Sequence, residues 1–204
     1  MTPACLLVLQ ALTNLGYAPA GPGLPAGWRL QRTRGAEPPT FRVTAEHVLR
    51  VEARRAAGSA TYRLRQPIRP SPRGGTLSWR WRTATPLRGA TLRLRSGDDS
   101  PVRVFVVFAN GRVISYCWGN REGRGETFTS WMGPTRAVIV LERAEDADGS
   151  WHLERRNPFA DYRRVFNQAP EAIVTVGISA DTDHLGGASV AEVGELTWAG
   201  GGGP

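Results

Sequence analysis

The chain has 204 residues and no lysine, so all 26 of its basic residues are arginines. It has only two cysteines, Cys5 and Cys117, so disulfides cannot hold a domain of this length and a hydrophobic core must do so. Its apolar runs are too short to cross a bilayer as a helix. The abundance of arginine, alanine, glycine and proline is typical of a GC-rich bacterial genome, which weakens a functional interpretation of the arginines.

Motifs that mark common enzyme classes are also missing. The sequence has no Gly-x-Ser-x-Gly elbow, no glycine-rich phosphate loop and no His-Glu-x-x-His motif. The residues that could bind zinc lack the spacing of a zinc site: His47, His152, His184 and Cys117. Two aspartate pairs remain as candidates for acid–base chemistry, Asp98 with Asp99 and Asp181 with Asp183. A carbohydrate-active hydrolase or lyase that uses one of these pairs is therefore an alternative, not the leading hypothesis.

The net charge of +8 raises the question of an anionic partner. The arginines recur at alternate strand positions, as in Arg63 and Arg65 or Arg93 and Arg95, and do not form one dense block. This pattern favours a solvated basic face and argues against nucleic acid, so a nucleic-acid-binding module is only a second alternative. An anionic polymer of the cell envelope stays a candidate partner.

The stretch from Thr76 to Trp118 alternates with period two, which indicates consecutive strands. Trp79 and Trp81 fall on one face of the first strand, and Arg80 falls on the other. Asn110-Gly111 predicts a hairpin with a type I′ turn, because both residues accept positive φ.

Alternating segments continue through the rest of the chain. Residues 48–54 and 60–65 predict a hairpin with a turn at 57–59, and residues 137–141 and 151–155 predict a strand and its return. Roughly a dozen strands predict an all-β fold, a single jelly-roll-like antiparallel sandwich of two sheets over residues 28–198. Asn157 as N-cap and Pro158 at the first helical position predict one short helix, over about residues 158–166.

Arg103 lies within the apolar run from Val102 to Phe108, where a buried charge must be paired. Asp98 and Asp99 directly precede this run. We expect Arg103 to pair with at least one of these aspartates, or with Asp181 or Asp183. Arg80 is the alternative partner for Asp98 and Asp99.

The N-terminal residues differ in character from the rest. Ala4 to Leu12 is apolar and is followed by Tyr17-Ala18-Pro19-Ala20, which is typical of a secretory signal. We expect a signal peptide over residues 1–20, a Gly/Pro-rich linker over 21–27, and a flexible tail over 199–204. The mature protein would then be periplasmic or extracellular.

Five segments in this order resemble the bacterial family called domain of unknown function 3047. They are Trp79-Arg80-Trp81, Asp98-Asp99-x-Pro101-x-Arg103, Tyr116-x-Trp118, Asp161-Tyr162-Arg163-Arg164-x-Phe166 and Asp181-Thr182-Asp183. The resemblance covers about residues 28–198 and implies an exported or envelope-associated jelly-roll domain; it implies no activity. This chain has Asp181-Thr182-Asp183-His184-Leu185-Gly186 where the family tends to have Asp-x-Asp-Asn-Thr-Gly.

That loop partly matches a calcium site, because Asp181, Asp183, Gly186 and Glu192 fall at positions 1, 3, 6 and 12 of the EF-hand pattern. Leu185 occupies a ligand position, and a strand precedes the loop where an EF-hand has a helix. We therefore expect no cofactor and an ordinary hydrogen-bonded turn, with weak calcium binding as the alternative.

These observations favour a non-catalytic binding or structural module, with carbohydrate or an anionic envelope polymer as its ligand. Tryptophan faces stack on sugar rings, and arginine and aspartate bond to sugar hydroxyls. The candidate ligand-binding residues are Arg80, Asp98, Asp99, Arg103, Trp118, Asn120, Arg156, Asp161, Asp181 and Asp183, with Arg121 and Trp131 as further surface candidates.

Overall fold

The computed structural model describes residues 9–72 and 74–200. Its strands are β1 (Leu9–Ala11), β2 (Gly21–Pro22), β3 (Trp28–Arg32), β4 (Thr40–Val43), β5 (Leu49–Arg54), β6 (Ala57–Ile68), β7 (Gly75–Thr83), β8 (Ser100–Phe108), β9 (Val113–Trp118), β10 (Thr127–Thr129), β11 (Arg136–Glu142), β12 (His152–Arg156), β13 (Ile173–Asp181), β14 (Ala188–Val193) and β15 (Thr197–Gly200). One α-helix, α1 (Pro158–Phe166), and three short 3-10 turns, Leu15–Tyr17, Arg95–Gly97 and Ala144–Asp146, complete the described elements.

The strands form two packed sheets. One has eight strands: seven in the order β1-β15-β7-β14-β5-β4-β2, and β12, which also pairs with β7. The second has seven strands, in the order β10-β11-β9-β8-β13-β6-β3. Neighbouring strands are antiparallel except β9 and β11, which are parallel. The predicted all-β two-sheet sandwich with one short helix is confirmed, and this parallel pair is the exception to the expected antiparallel pattern.

Aromatic side chains join the two sheets. Trp79 and Trp81 of β7 point inward, and their rings lie 5.3 Å from Tyr116 and 5.5 Å from Trp118 of β9. All four side chains are buried, as period-two alternation requires for residues on the core face of each strand. Large aromatic surfaces stabilise such a core strongly because each one removes much apolar area from water.

Two predicted strand connections are wrong. Residues 48–54 and 60–65 were expected to form a hairpin, but β5 lies in the eight-stranded sheet and β6 in the seven-stranded sheet. Arg55 has a left-handed φ of 48°, and the chain turns there from one sheet to the other. Likewise β11 and β12 lie in different sheets, because β12 pairs with β7.

The turn at Asn110-Gly111 joins β8 and β9 as predicted, and these strands are antiparallel neighbours. Only Gly111 of the two has positive φ, at 81°, so the turn is not the expected type I′ form. The predicted helix is also confirmed, since the Asn157 side chain accepts hydrogen bonds from the backbone N–H groups of Phe159 and Ala160.

The N-terminal segment packs onto the sandwich from residue 9. β1 pairs with β15, β2 pairs with β4, and Leu15 is buried in the core. The sandwich therefore includes residues N-terminal to 28, among them part of the expected linker. The signal peptide over 1–20 stays a prediction, and its residues 1–8 lie outside the described residues, as do 201–204 of the expected tail. No helix among the described residues has the length and apolar character needed to cross a membrane.

A small second core lies on the outer face of the seven-stranded sheet. Cys117, Val138 and Val140 point away from the main core and are covered by Leu92 of the loop before β8. Cys117 is a buried packing residue, and burial raises the pKa of its thiol to about 12, which disfavours the reactive thiolate. The loop covers this part of β9 and β11, so the solvent-exposed part of the outer face lies beside the loop.

Candidate functional site

A groove of about 310 Å³ lies on the outer face of the seven-stranded sheet. Its floor consists of half-buried side chains that alternate with core residues on four neighbouring strands: Ser59 of β6, Ser179 of β13, Arg103 and Phe105 of β8, and Ser115 of β9. Strand register aligns them, since Arg103 is opposite Ser179 and Phe105 is opposite Ser115. The floor is therefore a rigid surface of hydroxyls, one guanidinium and one aromatic ring.

The position of Phe105 depends on Gly177 of β13. A Cβ atom at residue 177 would lie 2.2 Å from Cζ of Phe105, far inside van der Waals contact. The ring therefore lies over the glycine, where any other residue would displace it. Period-two alternation could have identified Phe105 from the sequence, because it shares a face with Arg103, but Gly177 becomes visible only when β13 is placed beside β8.

Trp131 forms part of the groove wall. The residue is 38% exposed, and its Nε1–H donates a hydrogen bond to Oδ2 of Asp98 at 2.6 Å. The guanidinium of Arg95 lies 5.7 Å from the Trp131 ring centroid, and Met132 continues the wall. An anchored, part-exposed indole is suited to stack on a flat ligand without first losing side-chain freedom.

Arg103 is paired with Asp98, as predicted. Nη2 of Arg103 donates to the backbone carbonyl of Asp98 at 2.7 Å and to its Oδ1 at 2.8 Å. Burial is the largest single influence and lowers the pKa of Arg103, but the negative charges of Asp98, Cys117, Asp181 and Asp99 together outweigh it and raise the pKa above its usual value. Because Asp98 also accepts from Trp131, one carboxylate joins the floor of the groove to its wall.

Asp99 points to the other side, toward the loop after β13. Its carboxylate is fully buried and accepts hydrogen bonds from the backbone N–H groups of His184 and Leu185 at 3.1 and 2.9 Å. The two adjacent aspartates thus have separate partners, and neither is placed for chemistry shared between them.

Asp181, Asp183 and His184 form the end of the groove next to Asp99. Ligand atoms of these four residues all lie within 4.8 Å of one another, and Nδ1 of His184 lies 2.8 Å from Oδ1 of Asp183. Burial raises the pKa of Asp181 to about 8, and a hydrogen bond with Asp183 adds to the effect. Three carboxylates and an imidazole could hold a cation here, although both oxygens of Asp99 already accept hydrogen bonds.

Glu192 does not belong to this group. It lies on β14 in the other sheet, where its carboxylate accepts from Nε of Arg82 at 2.7 Å and from Nη1 of Arg50 at 3.2 Å. The EF-hand spacing in the sequence therefore does not bring Glu192 to Asp181 and Asp183, because β14 leaves the loop toward the opposite sheet.

Three other predicted site residues lie away from the groove or in the core. Arg80 is exposed on the outer face of the eight-stranded sheet with its guanidinium 4.5 Å from the Trp151 ring, so of the two arginines expected to pair with Asp98 or Asp99 it is Arg103 that does so. Trp118 is not a surface residue, since it shares the core face of β9 with Tyr116. Asn120 is buried; it accepts from the Leu87 N–H and donates to the carbonyl of Asp99, so it positions the loops beside the groove.

Arg156 and Asp161 form a structural contact near α1. Arg156 donates through two nitrogens to the Asp161 carboxylate, which also accepts from the hydroxyl of Tyr116 at 2.9 Å. These bonds attach the helix to the sandwich, and neither residue lines the groove. Arg121, the further surface candidate, is exposed but also lies outside the groove.

Several solved structures are similar in shape at low identity. An agarase matches with 10% identity and a TM-score of 0.45 over 96% of this chain and 25% of its own, so the chain spans about a quarter of that protein. The xyloglucanase domain of NopAA from Sinorhizobium fredii, in complex with cellobiose, matches with 12% identity and a TM-score of 0.49 over 90% of this chain and 98% of its own. A family 11 carbohydrate-binding module from Clostridium thermocellum, in complex with a β-1,3-1,4-mixed-linked tetrasaccharide, matches with 10% identity and a TM-score of 0.45 over 94% and 95%. Similarities this low say nothing about the ligand of this chain.

A search of curated protein sequences found no match. A family profile, by contrast, matches residues 26–197, nearly the whole sandwich and all five segments on which the resemblance was based. The chain belongs to the family described as Protein of unknown function (DUF3047).

Proposed function

We propose that this protein is a non-catalytic module that binds a polysaccharide in the groove on the seven-stranded sheet. The observation that carries the proposal is the pair of aromatic rings in this groove, Trp131 on the wall and Phe105 on the floor, with polar side chains between them. Aromatic faces stack on the apolar faces of sugar rings. Hydroxyl and charged groups such as those of Ser115, Ser179 and Arg103 can bond to sugar hydroxyls.

The shape of the groove suits a chain rather than a small compact ligand. Its lining extends from Thr33 and Arg34, beyond the end of β3, across the four central strands to Trp131 and Met132. A ligand that lies along this path contacts several strands of a rigid sheet, so little backbone freedom is lost on binding.

Export is consistent with this role, because structural polysaccharides occur outside the cytoplasm. The apolar segment from Ala4 to Leu12 supports export as part of the proposal. N-terminal sequencing of the protein recovered from the periplasm and from the culture medium tests it, and recovery only from the cytoplasm would contradict it.

Affinity electrophoresis in gels that contain soluble polysaccharides tests the binding proposal. We expect retardation by at least one polymer, and we expect Trp131→Ala to weaken it by about fivefold or more, taking as a guide the roughly 1–3 kcal/mol that a nucleic-acid base stacked on an aromatic side chain contributes. Trp151→Ala is the matched control, because Trp151 lies with Arg80 and Arg82 on the other sheet. Binding that is lost equally in both variants, or absent from wild type, would contradict a site in the groove.

A hydrolase that uses Asp181 and Asp183 is the second candidate. These carboxylates line the groove, and a raised pKa like that of Asp181 is typical of a general acid. The other proposed pair is less suitable, because Asp98 is bound to Arg103 and Asp99 to two backbone N–H groups. Release of reducing ends from a bound polymer by wild type and not by Asp183→Asn would favour this candidate.

A further inference from the structure

We infer that the polysaccharide is anionic and that Arg34, Arg95 and Arg136 bind its carboxylate or sulfate groups. This inference rests on the proposed function and names the ligand class of the same groove. All three arginines line the groove and are exposed.

These three guanidinium groups differ from the other arginine of the groove in one respect. Arg103 is satisfied by Asp98, whereas Arg34, Arg95 and Arg136 form no ion pair with any residue that the structure describes. Elsewhere on the sandwich some exposed arginines have carboxylate partners, as Arg93 has Glu126 and Arg124 has Asp146, and others, such as Arg155, have none among the described residues. What sets the three arginines of the groove apart is that they line one concave surface together. The groove thus keeps positive charge that the protein itself does not neutralise.

The carboxylates of the groove do not supply the missing partners. Asp98 is engaged by Arg103 and Trp131, and Oδ1 of Asp181 and Oδ1 of Asp183 are buried. Asp99 accepts from backbone N–H groups. The Oδ1 atoms of Asp181 and Asp183 have no hydrogen-bond partner among the described residues. None of these carboxylates forms an ion pair with the three arginines, whose guanidinium groups line the groove unpaired within the described part of the chain.

Two of the arginines lie beside the aromatic wall. Arg95 stands over the Trp131 ring, and Arg136 follows Trp131 within the same loop and strand junction. A sugar stacked on Trp131 would bring a charged substituent close to both. A planar guanidinium can donate two parallel hydrogen bonds to the oxygens of one carboxylate or sulfate group. Such bonds would favour binding of charged sugars over neutral ones.

The test compares polymers that share a backbone and differ in charge. Polygalacturonate is paired with its methyl ester, and a sulfated galactan with neutral agarose. The protein variant is the double substitution Arg95→Gln/Arg136→Gln. Its matched control is Arg155→Gln, an exposed arginine on β12 in the other sheet.

We expect wild type and the control to bind a charged polymer about tenfold or more tightly than its neutral counterpart at low salt, with the difference shrinking as salt is added. In the double variant we expect this preference to disappear while affinity for the neutral polymer is kept. A preference for polygalacturonate or for the sulfated galactan alone identifies which anionic group is bound, and either supports the inference.

Equal affinity of wild type for charged and neutral polymers, or an unchanged preference in the double variant, would overturn the inference and leave the proposed function intact. Equal loss in the Arg155→Gln control, or displacement of the polymer by single-stranded DNA at the same charge concentration, would also overturn it, because binding would then follow net charge alone. Binding to none of the four polymers, charged or neutral, would contradict this inference, and failure across a wider panel would contradict the proposed function itself.

Discussion

Arg103 and Asp98 are joined by two hydrogen bonds, one to the backbone carbonyl and one to the carboxylate of Asp98. The same carboxylate accepts the indole N–H of Trp131. A single buried aspartate thus connects a central strand to the aromatic wall of the groove, so we expect stability and the proposed ligand binding to depend on the same contact.

Replacing Arg103 tests this connection. We expect Arg103→Ala to lower the free energy of unfolding by about 3 kcal/mol, because it leaves the buried Asp98 carboxylate without its cation. Urea unfolding followed by tryptophan fluorescence measures the change. The double variant Arg103→Ala/Asp98→Ala should be less destabilised than the sum of the single variants. A variant Arg103→Ala that unfolds like wild type would show that the pair has no structural role.

The glycine under Phe105 gives a test of the groove floor. Gly177→Ala places a methyl group where Cζ of Phe105 lies, so the ring must rotate into the groove. We expect a loss of roughly 1–3 kcal/mol in stability, as for other overpacked sites, together with weaker polysaccharide binding. In the double variant Gly177→Ala/Phe105→Ala the clash is removed, so stability should partly return while binding does not. Unchanged binding in Gly177→Ala would mean that the ring position is unimportant.

A buried carboxyl pair at the side of the sandwich predicts how stability depends on pH. The Glu142 side chain is only 4% exposed; burial, followed by a hydrogen bond with Glu154, raises its pKa from 4.5 to about 8. The folded protein therefore keeps a proton that the unfolded chain loses between these pH values. Because the native state binds more protons, its stability should fall as the pH rises from about 4.5 to about 8.

The variant Glu142→Gln should flatten this slope, since glutamine does not titrate. Asp181 acts in the same direction, so some slope should remain. Denaturant unfolding at several pH values measures it, with the exposed Glu145→Gln as control. A wild-type stability that rises over this range, or an unaltered slope in Glu142→Gln, would contradict the assignment.

Calcium should stabilise the protein weakly or not at all. The ion takes six to eight oxygen ligands, whereas here Leu185 brings none, Glu192 lies in the other sheet and Asp99 already accepts two N–H bonds. We therefore expect the melting temperature in millimolar calcium to match that in chelator. A large increase that Asp181→Asn abolishes would instead establish a calcium site at the end of the groove.

The local elements could be predicted from the amino-acid sequence. Alternation placed Trp79 and Trp81 on a buried face, because side chains of a strand alternate between two sides whatever the partner strand is. The cap at Asn157 predicted α1, and a charge within an apolar strand required a nearby carboxylate for Arg103. Each of these predictions depends only on residues that are close together in the sequence, so none of them required knowledge of the tertiary structure.

Strand pairing, and the face of each sheet that is exposed to solvent, became known only from the tertiary structure. A short connection can be a hairpin turn within one sheet or a crossing to the other sheet, because each needs only a few residues. The crossing after Arg55 could therefore not be distinguished from a hairpin in the sequence. Glu192 lies on β14 in the other sheet, away from Asp181 and Asp183. Trp118 is buried in the core, because it lies on the face of β9 that packs against the opposite sheet. The groove itself unites residues from 33 to 184, and only the packing of four strands side by side could bring them together.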